Sequence, residues 1–362
     1  MASTLPANGD LVDLSADRYD LTTYIGRLKH FYTVTSPLTL LAPVSKLEQS
    51  SAAVKKAQER IDEAKGRPVW VGRAERDQFW KDKQLVDSSI HPDTGKAVPL
   101  LFRMSAFVPT NLVICAGMLT PNPSLRTLIF WQWANQSLNV AVNYNNANKS
   151  ISLSTQELLT AYTSATLTSV LIAVSLSRMV PKIPNSVISQ SGKELLGKMV
   201  PFASVASAGV VNISCIRWKE IRDGITVFRL NRTEPPQGAP DAKPIETKEE
   251  LGKSSVAGTR AVGQSAASRV LTNIPTLIFP PLIMTALAAR GAFQGPRKVL
   301  WENLSQLSIL GASLYFFLPP SIAVFPQRAS VSLGKLEKDK FERFARAENG
   351  GLDEKVFFNK GL

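Results

Sequence analysis

Six stretches of 18 or more consecutive residues carry no charge, and almost all lie in the middle and later parts of the chain. They run between Arg103 and Arg126, Arg126 and Lys149, Glu157 and Arg178, Lys198 and Arg217, Arg269 and Arg290, and Glu302 and Arg328. With charges scattered at random at this chain's frequency, a run of 20 begins at a given position roughly one time in a hundred. A helix rising about 1.5 Å per residue needs about 20 residues to cross the hydrocarbon of a bilayer. The pattern therefore predicts an all-α integral membrane protein with about five transmembrane helices, spanning 98–119, 158–180, 199–216, 270–289 and 303–326. A further segment, 127–148, is expected as a polar helix within the membrane or re-entrant into it. A soluble, partly helical N-terminal region, 1–97, precedes this bundle of 98–328; a polar loop, 218–263, interrupts it, and a C-terminal tail, 329–362, follows.

Periodicity fills in the elements. From Ser45 to Lys65, Leu47, Val54, Ala57 and Ile61 oppose Lys55, Lys56, Glu59, Arg60 and Glu63, an amphipathic helix ended by Gly66 and Pro68. His91, Pro92, Asp93, Thr94 and Gly95 read as a turn, because Pro92 fixes a backbone angle, Asp93 bonds the backbone ahead and Gly95 permits a positive φ; binding of a solute or proton by His91 and Asp93 is the alternative. Arg103, one turn into the first run, either snorkels to the interface or points into a polar cavity. Small residues over 158–180 and 199–216 predict close helix packing at the bundle centre.

The segment from Thr127 to Asn148 carries the candidate chemistry. At 100° per residue Gln132, Asn135, Gln136, Asn139, Asn143 and Asn146 fall in a stripe roughly 100° wide. An amide in hydrocarbon must find a partner, so the stripe faces protein or water. Either the amides pair between helices, or they form a polar track that holds a small uncharged solute. Pro109, Pro275, Pro280 and Pro281 are helix-break candidates, since proline leaves a carbonyl without its donor and transporters build binding sites at broken helices. The stretch from Ile225 to Leu230 reads as a short strand, and Phe341, Phe344, Phe357 and Phe358 mark the tail as a short docking helix.

Composition narrows the partners. The +13 net charge is spread over tails and loops with no basic stripe interleaved with aromatics, so the expected partner is a lipid bilayer and not nucleic acid. Cys115 and Cys215 sit inside apolar runs as small buried hydrophobes, and with His30 and His91 the only histidines, no metal site or other cofactor is expected. No nucleophile and base pair or phosphate-cradling motif is present, which argues against an enzyme. Asp10, Asp13, Asp17 and Asp20 in the first twenty residues fit neither a secretory signal nor an acid-poor transit peptide, so any targeting is expected to be internal.

Taken together, the chain resembles the sideroflexins, multi-pass proteins of the mitochondrial inner membrane. The resemblance rests on Ile25-Gly26-Arg27 with His30-Phe31-Tyr32-Thr33-Val34-Thr35, on His91 to Gly95, and on Arg103-Met104-Ser105-Ala106 followed by Val108-Pro109. It continues through Phe130-Trp131-Gln132-Trp133, Asn135-Gln136-Ser137, Val142-Asn143-Tyr144, Ala161-Tyr162 and Val200-Pro201-Phe202-Ala203, and ends with Pro280-Pro281 and Phe358-Asn359-Lys360-Gly361-Leu362. It implies a transporter of a small-molecule substrate, with serine entry for one-carbon metabolism the first expectation and tricarboxylates, after the family's older naming, the alternative. Two departures stand out: Lys96 replaces the Glu that usually follows Gly95, and the loop from Arg229 to Val262 is longer than usual, which suggests a fungal member.

For serine, the amide stripe with Arg103 would supply neutral donors and one cation for the carboxylate. Citrate would call for several cations inside the bundle, whereas Arg178, Arg217, Arg269 and Arg290 sit at run ends. A non-transporting membrane scaffold is the remaining reading. Lys and Arg flank the spans on both sides of any alternating assignment, which leaves orientation open.

Overall fold

A computed structural model describes residues 11–64, 67–91, 94–146, 154–233, 245–326, 328–345 and 351–359. The N-terminal region contains β1 (Leu11–Asp13), α1 (Tyr24–Val34), α2 (Val44–Glu63), β2 (Trp70–Gly72) and α3 (Arg73–Ser89). The expected amphipathic pattern is the packing face of α2: Leu47 is fully buried, and Val54, Ala57 and Ile61 join Leu14, Val71 and Phe79 in one apolar cluster. Strands β1 and β2 pair antiparallel beneath it.

The first apolar run becomes helical only at α4 (Phe107–Met118). Residues 98–106 run through short 3-10 turns, so the helix is shorter than the expected span of 98–119. Twelve residues rise about 18 Å, less than the hydrocarbon thickness. Next comes the amide-bearing helix α5 (Leu125–Asn146), which packs on α4 where Gly117 meets the Trp131 ring. A Cβ on Gly117 would stand 2.0 Å from that indole, so only glycine permits the approach.

Helices α6 (Thr155–Met179) and α7 (Gln190–Ile216) form an antiparallel pair lined by Ala161, Ala165, Ala173, Ser204 and Ala208, all fully buried. Small side chains let the backbones approach closely, as the composition of both runs predicted. After α8 (Trp218–Asp223), the described part of the expected polar loop is regular structure. It folds as β3 (Ile225–Thr233) and β4 (Ile245–Ser254) and then enters α9 (Ser255–Leu277). The helix expected from residue 270 thus begins at Ser255, with the Ser254 hydroxyl capping it through the Ala257 N–H. Only Ile278 separates α9 from α10 (Phe279–Ala289), and its N–H still bonds the Ile274 carbonyl at 3.0 Å, so the two form one 35-residue helical stretch.

Helix α11 (Lys298–Ala312) passes through a π-helical turn, Ser313–Phe317, into α12 (Leu318–Ala323). Strands β5 (Arg328–Ser332) and β6 (Lys355–Asn359) complete an antiparallel sheet in the order β4-β3-β6-β5. The tail expected as a docking helix divides: Phe341 and Phe344 stand in short helical turns, Lys338–Phe341 and Glu342–Phe344, that pack on the sheet, whereas Phe357 and Phe358 lie in β6, with Phe358 opposite Val227 on one side and Ala329 on the other. Alternation explains the difference: Val356 and Phe358 face the core with Val227, Val331 and Phe341, while their neighbours face out.

Among the described residues, four helical stretches are long and apolar enough to cross a bilayer: Thr155–Lys182, Gln190–Ile216, Ser255–Ala289 and Lys298–Ala323. Met104–Met118 is a shorter apolar one. The protein is a helical membrane protein that carries a small open sheet.

Candidate functional site

The α5 stripe splits along its length. Gln132, Asn135 and Gln136 are buried against the bundle, Asn139 and Asn146 are half-buried, and Asn143 is exposed. Asn146 is committed to structure, its Nδ2 donating to the Phe102 carbonyl at 2.7 Å and the Val142 carbonyl at 2.8 Å. The other end faces α6. The Ser169 hydroxyl donates to Gln132 Oε1 at 2.6 Å, and the Ser137 and Tyr162 hydroxyls meet at 2.9 Å. These two contacts fix an antiparallel register that sets Asn135 level with Ala165 and Thr166.

Within this contact three polar atoms are sealed from solvent without a partner: Gln132 Nε2, Asn135 Nδ2 and Thr166 Oγ1. Burying a donor unmatched costs about 1–3 kcal/mol. Three such atoms within two turns make a donor-rich patch to which an oxygen-bearing solute or water can bond. Beyond the Ser137–Tyr162 contact, a groove of about 310 Å³ runs along the same hairpin past Tyr144, Asn145 and Leu158.

Thr166 and Ser169 carry no sequence motif, and Tyr162 enters only as part of the Ala161-Tyr162 resemblance. The spacing of four and three residues from Tyr162 through Thr166 to Ser169 places all three on one helix face, a signal that lies within a run whose small residues predict only close packing.

Arg103 lies elsewhere. Its Nε donates to the Val98 carbonyl at 2.9 Å and its Nη1 to the Leu40 carbonyl at 3.2 Å, so the buried guanidinium ties the N-terminal region to the start of the bundle. Neither snorkelling nor a cavity describes it, and it is not brought together with the amides through any contact. The reason is local: Pro99 and the 3-10 turns keep residues 98–106 out of the helix, which leaves backbone carbonyls in need of donors.

Pro92 and Asp93 fall outside the described residues. The rest of the turn forms as expected: the His91 N–H donates to the Lys96 carbonyl at 2.9 Å, the Gly95 N–H to the His91 carbonyl at 3.0 Å, and Gly95 has φ +65°. Behind it the hydroxyls of Thr39, Ser88, Ser89 and Ser105 form a chain of contacts of 3.0–3.5 Å that sequence patterning did not reveal.

The helix-break candidates divide too. Pro109 is the third residue of α4, where no N–H is required, so it starts a helix and breaks none. Pro280 and Pro281 likewise open α10, and Pro275 sits inside an unbroken α9. Ile278, with φ −105°, interrupts the helix just before Pro280 and Pro281, so these two do mark the junction of α9 and α10. A break of a different kind lies at Pro319 and Pro320, after the π-helical turn. In a regular helix the Phe316 carbonyl would take the N–H of residue 320, which proline lacks. The Tyr32 hydroxyl supplies the missing donor at 2.9 Å, and Arg27 Nε bonds the Ala323 carbonyl at 2.8 Å, so α1 docks on the last membrane helix.

A family model described as Sideroflexins matches residues 13–362. The chain is 40% identical to Sideroflexin FSF1 of Saccharomyces cerevisiae over the full length of both. It is 38% identical to Sideroflexin fsf1 of Schizosaccharomyces pombe, covering 96% of this chain and 98% of the relative. With Sideroflexin-3 of Mus musculus the identity is 36%, over 99% of each chain. No solved structure matches.

Proposed function

The chain belongs to the sideroflexin family, and on that premise we propose that it carries a small neutral amino acid, serine first, across the mitochondrial inner membrane to supply one-carbon metabolism. The observation that carries this reading is the set of orphaned donors, Gln132 Nε2, Asn135 Nδ2 and Thr166 Oγ1, at the α5–α6 contact. Amides that served only to pair helices would be matched, because the packing would select for it. Donors left open inside an apolar bundle favour cargo oxygen: a carboxylate or hydroxyl of the solute, or a water it displaces.

The test uses the full chain in liposomes loaded with labelled L-serine. The wild type exchanges it; a folded protein that does not exchange it would sink the proposal. The double variant Asn135→Leu with Thr166→Val separates cargo binding from packing. Replacing unmatched polar groups by apolar ones of similar shape leaves stability unchanged or raised, so its melting temperature holds while serine exchange falls at least tenfold. A variant that melts lower and transports normally would identify a scaffold role for these residues.

A further inference from the structure

Because α9 begins at Ser255 and not near residue 270, Arg269 moves from the end of an apolar run to near the middle of the 35-residue stretch Ser255–Ala289. At 100° per residue it lies within about 60° of Gly258, Val262, Ser265 and Thr276. All four are buried, so Arg269 stands on the face that α9 turns toward the bundle. Its stem rests on α7: a Cβ added to Gly209 would stand 3.5 Å from Arg269 Cβ. The side chain is half-buried.

Each buried arginine among the described residues has a task. Arg27 and Arg103 hold backbone carbonyls, Arg217 pairs with Glu220 and bonds Ser265, and Arg229 pairs with Glu354 and Glu249. Arg126, Arg178, Arg260 and Arg290 are exposed. Among the described residues no oxygen accepts from the Arg269 guanidinium and no carboxylate pairs with it. Between Arg260 and Arg290 it is the only charge in the sequence. A cation in an apolar bundle without a counter-charge is unfavourable by several kcal/mol, and such residues mark ion and solute pathways. The planar fork of a guanidinium matches a carboxylate through two parallel hydrogen bonds.

We propose that Arg269 is the receptor for the carboxylate of the transported solute, in a site between α7 and α9. This deepens the carrier reading above and rests on it. Helix α7 packs against both α6 and α9, and packed helices lie about 8–10 Å apart, so a small amino acid cannot bridge the α5–α6 donors and Arg269 at once. The two are successive stations for one cargo. A single unmatched guanidinium balances one carboxylate, which favours monocarboxylate amino acids over tricarboxylates.

The experiment follows thermal melting of the purified full chain titrated with L-serine, with ethanolamine as the same molecule lacking the carboxylate, with acetate, and with chloride. Serine and acetate raise the wild-type melting temperature by several degrees; ethanolamine and chloride do not. Arg269→Gln melts no lower than wild type without ligand, since it removes an unpaired, half-buried charge, and it loses the response. Arg269→Lys keeps part of it. In liposomes Arg269→Gln raises the KM for serine at least tenfold, while Arg290→Gln, at an exposed helix end, does not. The proposal is overturned if Arg269→Gln keeps the serine response, melts well below wild type, or if chloride acts as strongly as acetate. A wild type that shows the Arg269-dependent acetate response without exchanging serine would refute the carrier reading alone.

Discussion

The carboxylate of Glu337, in the segment after β5, caps the start of α9. Its Oε1 accepts from the Ser255 N–H at 2.7 Å, the Ser255 hydroxyl at 2.8 Å and the Val256 N–H at 3.2 Å, and its Oε2 from the Ser254 hydroxyl at 2.6 Å. Burial by itself would raise the carboxyl's pKa, but the bonds from Ser254, Ser255 and Val256 outweigh it and hold the group at about 2, below the ordinary 4.5. Each pH unit of displacement corresponds to about 1.4 kcal/mol, so the ionised cap contributes on the order of 3 kcal/mol to docking of the tail on the helix. The folded value lies below the unfolded one, so this contribution is complete above about pH 4.5 and declines as pH falls toward 2. Glu337→Gln keeps the shape and removes the charge. Hydrogen exchange at the Ser255 and Val256 amides should then speed up about 100-fold relative to wild type at pH 7, and only about 10-fold at pH 3. Equal exchange in the two proteins at pH 7, or a ratio that does not change with pH, would refute the electrostatic cap.

Two further outcomes follow from the contacts that join the N-terminal region to the bundle. Arg103→Met leaves the Val98 and Leu40 carbonyls without donors and should destabilise the protein by about 2–4 kcal/mol, read as a lower melting temperature, while the KM for solute per folded molecule stays unchanged; a raised KM at normal stability would restore Arg103 to the cargo site. Tyr32→Phe strips the donor from the Phe316 carbonyl and should loosen α1 by about 1 kcal/mol, seen as roughly fivefold faster amide exchange in α1 with the bundle amides unaffected.

The apolar runs made the long helices legible because a bilayer imposes one length and one composition on any segment that crosses it. Helix starts were less legible. The stretch from Ile225 to Leu230 reads as a strand, but besides the neighbouring β4 it pairs with β6, which begins at Lys355, and a sheet joined across more than a hundred residues leaves no local period to read. The true start of α9 was hidden for a related reason. Thr259, Arg260 and Gln264 look like loop residues, yet Gly258 fits α9 against α8 where a Cβ would stand 1.9 Å from the Glu220 carbonyl, and the cap at Ser254 is completed by Glu337.

Charge in the interior shows most clearly where sequence pattern ends and structure begins. By composition alone Arg27, Arg103, Arg217, Arg229 and Arg269 are alike, basic residues near apolar segments that snorkelling would explain. What separates them is the partner, and the partners of four lie between 3 and 296 positions away along the chain. Arg217 meets Glu220 on the next turn, a pairing visible in sequence; Arg27 reaches the Ala323 carbonyl, Arg103 the Leu40 carbonyl, and Arg229 a carboxylate in the tail, pairings set wholly by the fold. Once these four are committed, Arg269 is left on the bundle-facing side of α9, half-buried and without a protein partner among the described residues. An interior that satisfies four arginines so thoroughly would be expected to satisfy a fifth, unless its partner arrives and departs with the cargo.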